Sequence, residues 1–278
     1  MHGVAHLTTP VGYEPATVPE SRETSIRRGI EVLLALGSDE SQQNGGLGVT
    51  RIADLVERDK SQVSRALSAL AEYGLAERIP GERGYRLGWQ VHVLATRTGQ
   101  HRLIEQMTLQ MRRLAVATGE SAFAAVRRGD EIVVVVAEHP ERSVLVRGTL
   151  GFSAPLLTSG AGRALMADDS RAEFDALFAR APAPRWTPKT LTDRDEIWAR
   201  CERDRARGFF VSDEEYENEL VTISAPIRRS DAGGPILAAV TIAGPRHRMI
   251  QSVEESGQEI IRVAQVVTAS LDGGSTPP

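Results

Sequence analysis

The chain has 278 residues, of which 41% are hydrophobic and 25% charged, an ordinary composition for a folded globular protein of two domains. Its formal net charge of −4 gives no overall attraction to nucleic acid, although a local basic patch can hide in such an average. The single cysteine, Cys201, excludes an internal disulfide framework, and no apolar run is long enough to cross a bilayer. We therefore expect a cytoplasmic protein without membrane contact.

The first part of the chain is predicted to be a leader followed by two helices. Residues 1–21 contain three prolines and lack the features of a signal peptide, which predicts a disordered leader. The stretch "SIRRGIEVLLALG" then predicts a helix that is capped by Ser25 and stops at Gly37. Its apolar face is formed by Ile26, Ile30, Leu33 and Leu34. After a loop, "SDESQQNGGLG", the stretch "VTRIADLVER" predicts a second helix starting at a capping Thr50.

The next stretch, "DKSQVSRALSALAEYGL", predicts a third helix and completes a helix-turn-helix pattern. Asp59 and Gln62 have the spacing of a capping box, and a stripe of Val63, Leu67 and Leu70 ends at Gly74. Ala53 supplies the small residue that this motif needs in its first helix. The usual turn glycine is replaced by Glu57, for which a left-handed backbone is harder to adopt. This departure does not cancel the motif, since the turn can adopt a different geometry.

Polar side chains remain on the outer side of this third helix once its apolar stripe is buried. They are Lys60, Ser61, Gln62, Ser64, Arg65 and Ser68. Arginine can read guanine and glutamine can read adenine in the major groove, while serine and lysine suit phosphates. Two short strands, near 76–79 and 84–87, follow around Pro80–Gly81, and we expect the hairpin residues Arg83 and Arg86 to contact the DNA backbone or the minor groove. The alternative is that these are solvated faces of a three-helix bundle.

The pattern after residue 88 predicts a linker and then an α+β domain. Residues 89–118 are helical in pattern, with Gly99 as a candidate joint, so we assign 22–88 to the winged helix-turn-helix and 89–118 to the linker. Hairpins are predicted around Gly129–Asp130 and through "LVTISAPIRRSDAGGPILAAVTIAGP", with another strand in "SVLVRG". Helices are predicted near 160–167, 170–180, 193–207 and 249–271. The domain covers 119–272 with a largely antiparallel sheet, and 273–278 form a disordered tail.

Residues 22 to about 272 resemble the IclR family of bacterial transcriptional regulators. The resemblance is carried by "SQVSRALSALAEYGL", "GYRLG", "GAGRALMA", "RGFFVSDEEYENELVTISAPI" and "AAVTIAGPRHR", in that order. It implies an N-terminal winged helix-turn-helix, a linker helix that dimerises, and a C-terminal effector domain of GAF-like fold. It also implies duplex DNA with a near-palindromic operator as the partner, and assembly as a dimer or a dimer of dimers.

The resemblance further implies that a small, carboxylate-bearing effector binds the C-terminal domain. "TSGAGRAL" places Ser159, Gly160, Ala161 and Gly162 at a predicted helix start, where backbone N–H groups attract anions, although a simple helix cap is the alternative. In similar proteins the first acid of the run that begins at Asp213 faces the ligand. Thr222 stands where the family often has cysteine, and Thr241 where a hydroxyl is common. Leu157 stands where the family frequently has histidine, so we expect an effector with an apolar or aromatic body.

Two alternative functions stay open at this level. In one, the chain is an enzyme or ligand sensor that uses the Asp213/Thr222 pocket, with Ser159 beside the acids. In the other, the helix-turn-helix mediates only protein contacts. The sequence has no nucleophile elbow, no base placed to activate Ser159 and no metal-ligand spacing, so we predict no catalytic residue, metal or cofactor.

Overall fold

The computed structural model describes residues 24–81, 84–142, 145–230 and 234–272. These residues form two units, 24–101 and 102–272, which we describe separately. The predicted leader over 1–21, the tail over 273–278 and Arg83 lie outside the described residues. The predicted linker of 89–118, which spans the division between the units, stays a prediction.

The N-terminal unit contains five helices and three short strands among its described residues. The helices are α1 (Ser25–Leu36), α2 (Asp39–Gln43), α3 (Val49–Leu55), α4 (Lys60–Glu72) and α5 (Trp89–Thr96). The strands are β1 (Leu47–Gly48), β2 (Ala76–Arg78) and β3 (Gly84–Leu87), paired antiparallel in the order β1-β3-β2. Helices α3 and α4 form the predicted helix-turn-helix, and strands β2 and β3 form the predicted wing.

Several local predictions in this unit need correction. Thr24 and Gly48, rather than Ser25 and Thr50, are the N-cap residues of α1 and α3. The predicted loop after α1 contains the short helix α2, which Ser38 caps through a bond from the N–H of Ser41. Asp59 is the N-cap of α4 as predicted, but its side chain makes no capping hydrogen bond. Asp59 therefore precedes the first turn of α4 as its N-cap residue, but the predicted capping box is not formed.

The apolar core of this unit differs from the predicted stripe on α1. Val32 and Leu36 of α1 pack with Ile52, Val63 and Leu67. By contrast, the predicted face is largely open, with Ile26 74%, Ile30 50% and Leu34 45% exposed. Helix α5 is rich in apolar residues, yet none of them is buried. The N-terminal unit therefore carries apolar surface that its own described residues do not cover.

The turn between α3 and α4 keeps left-handed geometry although it lacks a glycine. Glu57 has a φ of 51°, so the turn does not use the different geometry that the sequence left open. The N–H of Arg58 bonds to the carbonyl of Ala53 at 3.0 Å, which closes the turn against the small residue of α3. The surrounding packing holds Glu57 in a conformation that costs about 1–2 kcal/mol for a residue with a Cβ.

The C-terminal unit is built on a six-stranded antiparallel sheet with the order β6-β5-β4-β9-β8-β7. Its strands are β4 (Ser121–Arg128), β5 (Glu131–Glu138), β6 (Ser153–Pro155), β7 (Phe210–Asp213), β8 (Leu220–Arg228) and β9 (Ile236–Pro245). The predicted strand in "SVLVRG" is wrong for its described residues, 145–148, which have no regular structure. The predicted α+β class with an antiparallel sheet is confirmed.

Helices cover both faces of this sheet. They are α6 (His101–Thr118), α7 (Gly160–Leu165), α8 (Arg171–Arg180), α9 (Arg194–Arg207), α10 (Arg246–Met249) and α11 (Val253–Asp272), with 3₁₀ turns at Leu156–Thr158 and Ile250–Ser252. Helices α6 and α11 pack on one face through residues such as Met107, Met111 and Ile260. Helices α7, α8 and α9 pack on the other through Leu165, Phe174 and Ile197. We call the second surface the α7 face of the sheet.

A fully buried arginine ties α7 to the acidic turn after β7. Arg163 donates two hydrogen bonds to the Glu215 carboxylate, at 2.7 and 2.9 Å, and a third to the carbonyl of Val211 at 2.7 Å. Burial alone would lower the pKa of Arg163, but attraction to Glu215 outweighs it and the pKa is raised. Since both charges are buried and paired, α7 has one favoured position against β7.

Candidate nucleic-acid interface and effector site

The polar side of α4 lies open to solvent. Lys60, Ser61, Ser64 and Arg65 are exposed, and Gln62 is half-buried, whereas Val63 and Leu67 on the opposite side are fully buried. Ser68 is also exposed, although its hydroxyl donates to the carbonyl of Ser64 at 3.0 Å. The structure therefore brings the predicted contact residues of α4 together on one outward helix face.

The wing places Arg86 in a cross-strand ion pair. Arg86 on β3 lies directly opposite Glu77 on β2, and its Nε and Nη2 atoms donate to Glu77 Oε2 at 3.2 and 3.1 Å. Both side chains remain substantially exposed. Arg86 therefore lies on the exposed surface of the wing, where its guanidinium is paired with the Glu77 carboxylate.

A second exposed arginine, which the sequence analysis did not single out, has the same arrangement. Arg51 lies in the first turns of α3, and its Nε and Nη2 donate to the two carboxylate oxygens of Glu40, both at 2.7 Å. The hydrogen bonds from Arg51 lower the pKa of Glu40 and raise that of Arg51. The stretch "VTR" at a helix start was the available signal, because a cation there can meet a DNA backbone.

An open cleft of about 420 Å³ lies where α3 turns into α4. Its lining is mostly charged and comprises Ala53, Asp54, Glu57, Arg58, Asp59 and Gln62. Its carboxylates make the cleft unsuited to an anionic ligand. None of the predicted effector-binding residues lies in this cleft.

Three of those predicted residues meet on the α7 face of the sheet. A methyl group added to Gly160 would lie 3.0 Å from Thr222 Oγ1 and 3.1 Å from Ser224 Oγ. Ser224 also forms a hydrogen bond of 2.8 Å with Thr241, its partner across β8 and β9. Thr222 Oγ1 is buried and has no hydrogen-bond partner among the described residues. We call Thr222, Ser224 and Thr241 the hydroxyl cluster.

The neighbouring residues of the predicted site serve mainly to position α7. Ser159 is its N-cap, and its hydroxyl accepts the N–H of Gly162 at 2.9 Å. Leu157 and Ala161 are buried in the apolar core on the α7 face. Because α7 has only six residues, its dipole supplies less attraction for an anion than a long helix would. The hydroxyl cluster is therefore the better-defined polar feature here.

Asp213 lies apart from the hydroxyl cluster. It pairs with Val221, whose side chain packs on the face of the sheet opposite to α7. Its carboxylate accepts bonds from Arg246 at 2.8 and 3.3 Å, and the same contact raises the pKa of Arg246. Strand alternation instead places Ser212 beside Thr222, and Ser212 is buried. The role of Asp213 stays a prediction, while Ser212 and Ser224 are polar neighbours that the sequence analysis missed.

The described residues contain neither a helix that could span a membrane nor a group of side chains that could hold a metal ion. None of the helices in the described ranges is both long and apolar enough to cross a bilayer. Within the same ranges, no group of three or more His, Cys, Asp or Glu side chains could hold a metal ion.

The chain matches known families over most of its length. Residues 25–80 match the IclR helix-turn-helix domain, and residues 95–269 match the bacterial transcriptional regulator IclR C-terminal domain. The HTH-type transcriptional repressor AllR of Salmonella typhi is 32% identical over 169 residues, which cover 60% of this chain and 61% of AllR.

Two solved structures are similar in fold. The Thermotoga maritima IclR has a TM-score of 0.67 at 22% identity, covering 89% of this chain and 98% of its own. An IclR homologue from Microbacterium hydrocarbonoxydans, complexed with 4-hydroxybenzoate, has a TM-score of 0.76 at 21% identity. That comparison covers 90% of this chain and 100% of the homologue.

Proposed function

The chain belongs to the IclR family of bacterial transcriptional regulators, and we propose that it binds a near-palindromic DNA operator under the control of a small carboxylate-bearing metabolite. It would do so in the cytoplasm. The repressor named among its relatives favours repression as the direction of control.

The observation that carries DNA binding is the outward polar face of α4. Arg65 is exposed and able to reach a base edge, and Ser61 and Ser64 lie on the same open surface. The buried residues Val63 and Leu67 anchor the opposite side of α4 in the core. A rigid helix that carries short hydroxyl side chains together with the long cations Lys60 and Arg65 suits insertion into the major groove. Arg86 in the wing would contact the backbone beside it, and we propose the same role for Arg83.

The hydroxyl cluster supports a small ligand with both donors and acceptors of hydrogen bonds. Thr222 Oγ1 is a buried hydroxyl without a partner among the described residues, and such a group costs free energy unless a ligand satisfies it. The neighbouring Leu157 is buried among apolar side chains, which favours an effector with an apolar or aromatic body. The 4-hydroxybenzoate bound by a solved IclR homologue fits this chemistry. Ser159, Gly160 and Ala161 would border the ligand beside the hydroxyl cluster.

The exposed apolar surface of the N-terminal unit supports self-association. Ile26, Ile30 and Leu34 recur every four residues along α1, so they form one stripe on the helix. Trp89 and Leu94 add further exposed apolar surface on α5. A second copy would cover this surface, and the resulting two-fold symmetry would match two operator half-sites. We propose a dimer, or a dimer of dimers, as the DNA-binding form.

The decisive experiment starts from the purified full-length protein. Native mass spectrometry would identify small molecules that copurify, and selection from a library of random duplexes would identify the operator. Fluorescence anisotropy would then compare operator affinity with and without each molecule, typically a shift of about fivefold or more for a real effector. Failure to enrich any duplex would contradict the proposal, and turnover of the bound molecule would favour the enzyme alternative.

A further inference from the structure

Each of the two arginines beside the helix-turn-helix core is held by a carboxylate of the same unit. Glu40 on α2 binds Arg51 on α3 through both carboxylate oxygens, and Glu77 on β2 binds Arg86 on β3. All four side chains are at least about one-third exposed, so each pair is accessible from solvent. An incoming anion could therefore compete with either glutamate for its arginine.

The two pairs lie close in the topology, on elements that flank α4. Strand β1 pairs with the wing strand β3 through Leu47 with Tyr85 and Gly48 with Gly84. Helix α3 starts directly after β1 and carries Arg51, while Arg86 follows Tyr85 on β3. In helix-turn-helix complexes the first helix crosses the DNA backbone while the second enters the groove. Both arginines are therefore placed on the backbone-contacting flanks of the proposed interface.

The charge balance of the unit makes these pairs consequential. Between Thr24 and His101 the sequence carries ten Lys and Arg residues and nine Asp and Glu residues. Sequence-independent attraction to DNA grows with the number of phosphates that cations neutralise, so a nearly neutral unit has little of it. Arg27 and Arg58 are also engaged, both by Glu31. Acidic partners thus offset much of the basic charge in this unit.

We propose that Glu40 and Glu77 are intramolecular competitors of the DNA phosphates, which set the affinity by holding Arg51 and Arg86. Glu40 binds the Arg51 fork through two oxygens, as a phosphate group can, and Glu77 binds the Arg86 fork through one. DNA must displace the carboxylate before the guanidinium can bind a phosphate. Weak non-specific binding results, and base contacts from α4 then decide where the protein stays. This inference rests on the proposed DNA binding.

The test measures binding of the full-length protein to sheared duplex DNA over a range of salt concentrations. Glu40→Gln and Glu77→Gln should each raise affinity about three- to tenfold near 100 mM salt. In the non-specific complex of the wild type the glutamates keep hold of the arginines. Each variant should therefore also steepen the slope of log K against log salt by about one, because one further phosphate contact forms on the sheared DNA. Circular dichroism would establish that each variant keeps the wild-type fold.

Matched controls separate release of an arginine from a simple change of net charge. Asp39→Asn and Glu72→Gln remove the same charge from the same unit, but Asp39 and Glu72 form no ion pair with an arginine among the described residues. An equal rise in affinity for the controls would overturn the proposal, as would unchanged salt slopes in Glu40→Gln and Glu77→Gln. Absence of duplex binding by wild type and all variants at low salt would instead contradict the proposed function itself.

Discussion

The left-handed conformation of Glu57 has a measurable cost in the stability of the N-terminal unit. At a φ of 51° a Cβ is strained, whereas glycine is not. We expect Glu57→Gly to raise the free energy of unfolding by about 0.5–1 kcal/mol, which is the relieved strain less the added freedom of the unfolded chain. Urea denaturation measures this change. Glu57→Gln removes the charge but keeps the Cβ, so an equal gain in that variant would contradict the conformational explanation.

Replacing Thr222 by valine should raise the stability of the fold and weaken ligand binding. Thr222→Val keeps the shape but removes a buried hydroxyl that has no partner among the described residues, so we expect stabilisation of about 1 kcal/mol. Ser224→Ala is the matched comparison, because it leaves the Thr241 hydroxyl without its 2.8 Å bond and should destabilise. Thermal unfolding and titration with a panel of small organic acids measure both effects. A destabilised Thr222→Val variant would show that the hydroxyl is already satisfied.

Glu214 gives the protein an acid-dependent contribution to stability. A hydrogen bond from Lys189 holds the pKa of the Glu214 carboxyl below its ordinary value. A lowered folded-state pKa stabilises the fold at pH values above about 4.5, and this contribution is lost as the pH falls through the folded-state pKa. Lys189→Met should therefore be less stable than wild type at pH 6, with a difference that shrinks at pH 3.5. Urea denaturation at both pH values measures it, and a constant difference would exclude this linkage.

At the scale of the element, α4 and the wing should contribute differently to DNA recognition. Arg65→Ala should cost about 1–3 kcal/mol, concentrated at one base pair of the operator. Arg86→Ala is the comparison, and it should weaken binding to all of the mutated operators alike and lower the salt slope of operator binding by about 0.9. Anisotropy titrations over a set of mutated operators separate the two patterns. A uniform loss for Arg65→Ala would remove that side chain from base reading.

The elements also show which parts of the fold local sequence could predict. Val63 and Leu67 are four residues apart and so lie on the same face of a helix, and this face of α4 is buried as predicted. On α1 the same rule selected Ile26, Ile30 and Leu34, which are exposed, because periodicity reports an apolar face but not what covers it. At the effector site the family resemblance implied Asp213, whose role stays a prediction, while no local pattern indicated Ser212, which lies opposite Thr222. Ser212 could not be found locally because the register between β7 and β8 places it there, and that register depends on residues distant in the chain.

For the whole molecule, the apolar stripe on α1 predicts a link between assembly and DNA binding. Ile30→Arg places a charge in the middle of the stripe, so we expect weaker self-association and a lower operator affinity. Sedimentation velocity and anisotropy measure the two quantities on the same samples. Arg97→Ala is the control, because Arg97 is exposed directly after α5 and the substitution leaves the apolar stripe on α1 intact. Unchanged assembly in Ile30→Arg would exclude this surface as the interface.

Gly99 lies between α5 and α6, close to the point where the chain passes from the N-terminal unit to the C-terminal unit. Gly99 has a φ of +74° and nothing within 4 Å of where a Cβ would stand, so only backbone strain opposes Ala there. The sequence located this residue correctly as the break between α5 and α6. Its proposed part in transmitting an effector signal concerns motion between units and stays a prediction.

The buried pairing of Arg163 with Glu215 has a consequence for how this chain can diverge. Loss of either partner alone would strand a charge in the core, at a cost of about 3–5 kcal/mol. Drift at one position is therefore tolerated only with a compensating change 52 residues away. In an alignment of homologues, Arg163 and Glu215 should be kept or replaced together. A homologue that keeps only one of them should have a different contact between α7 and β7.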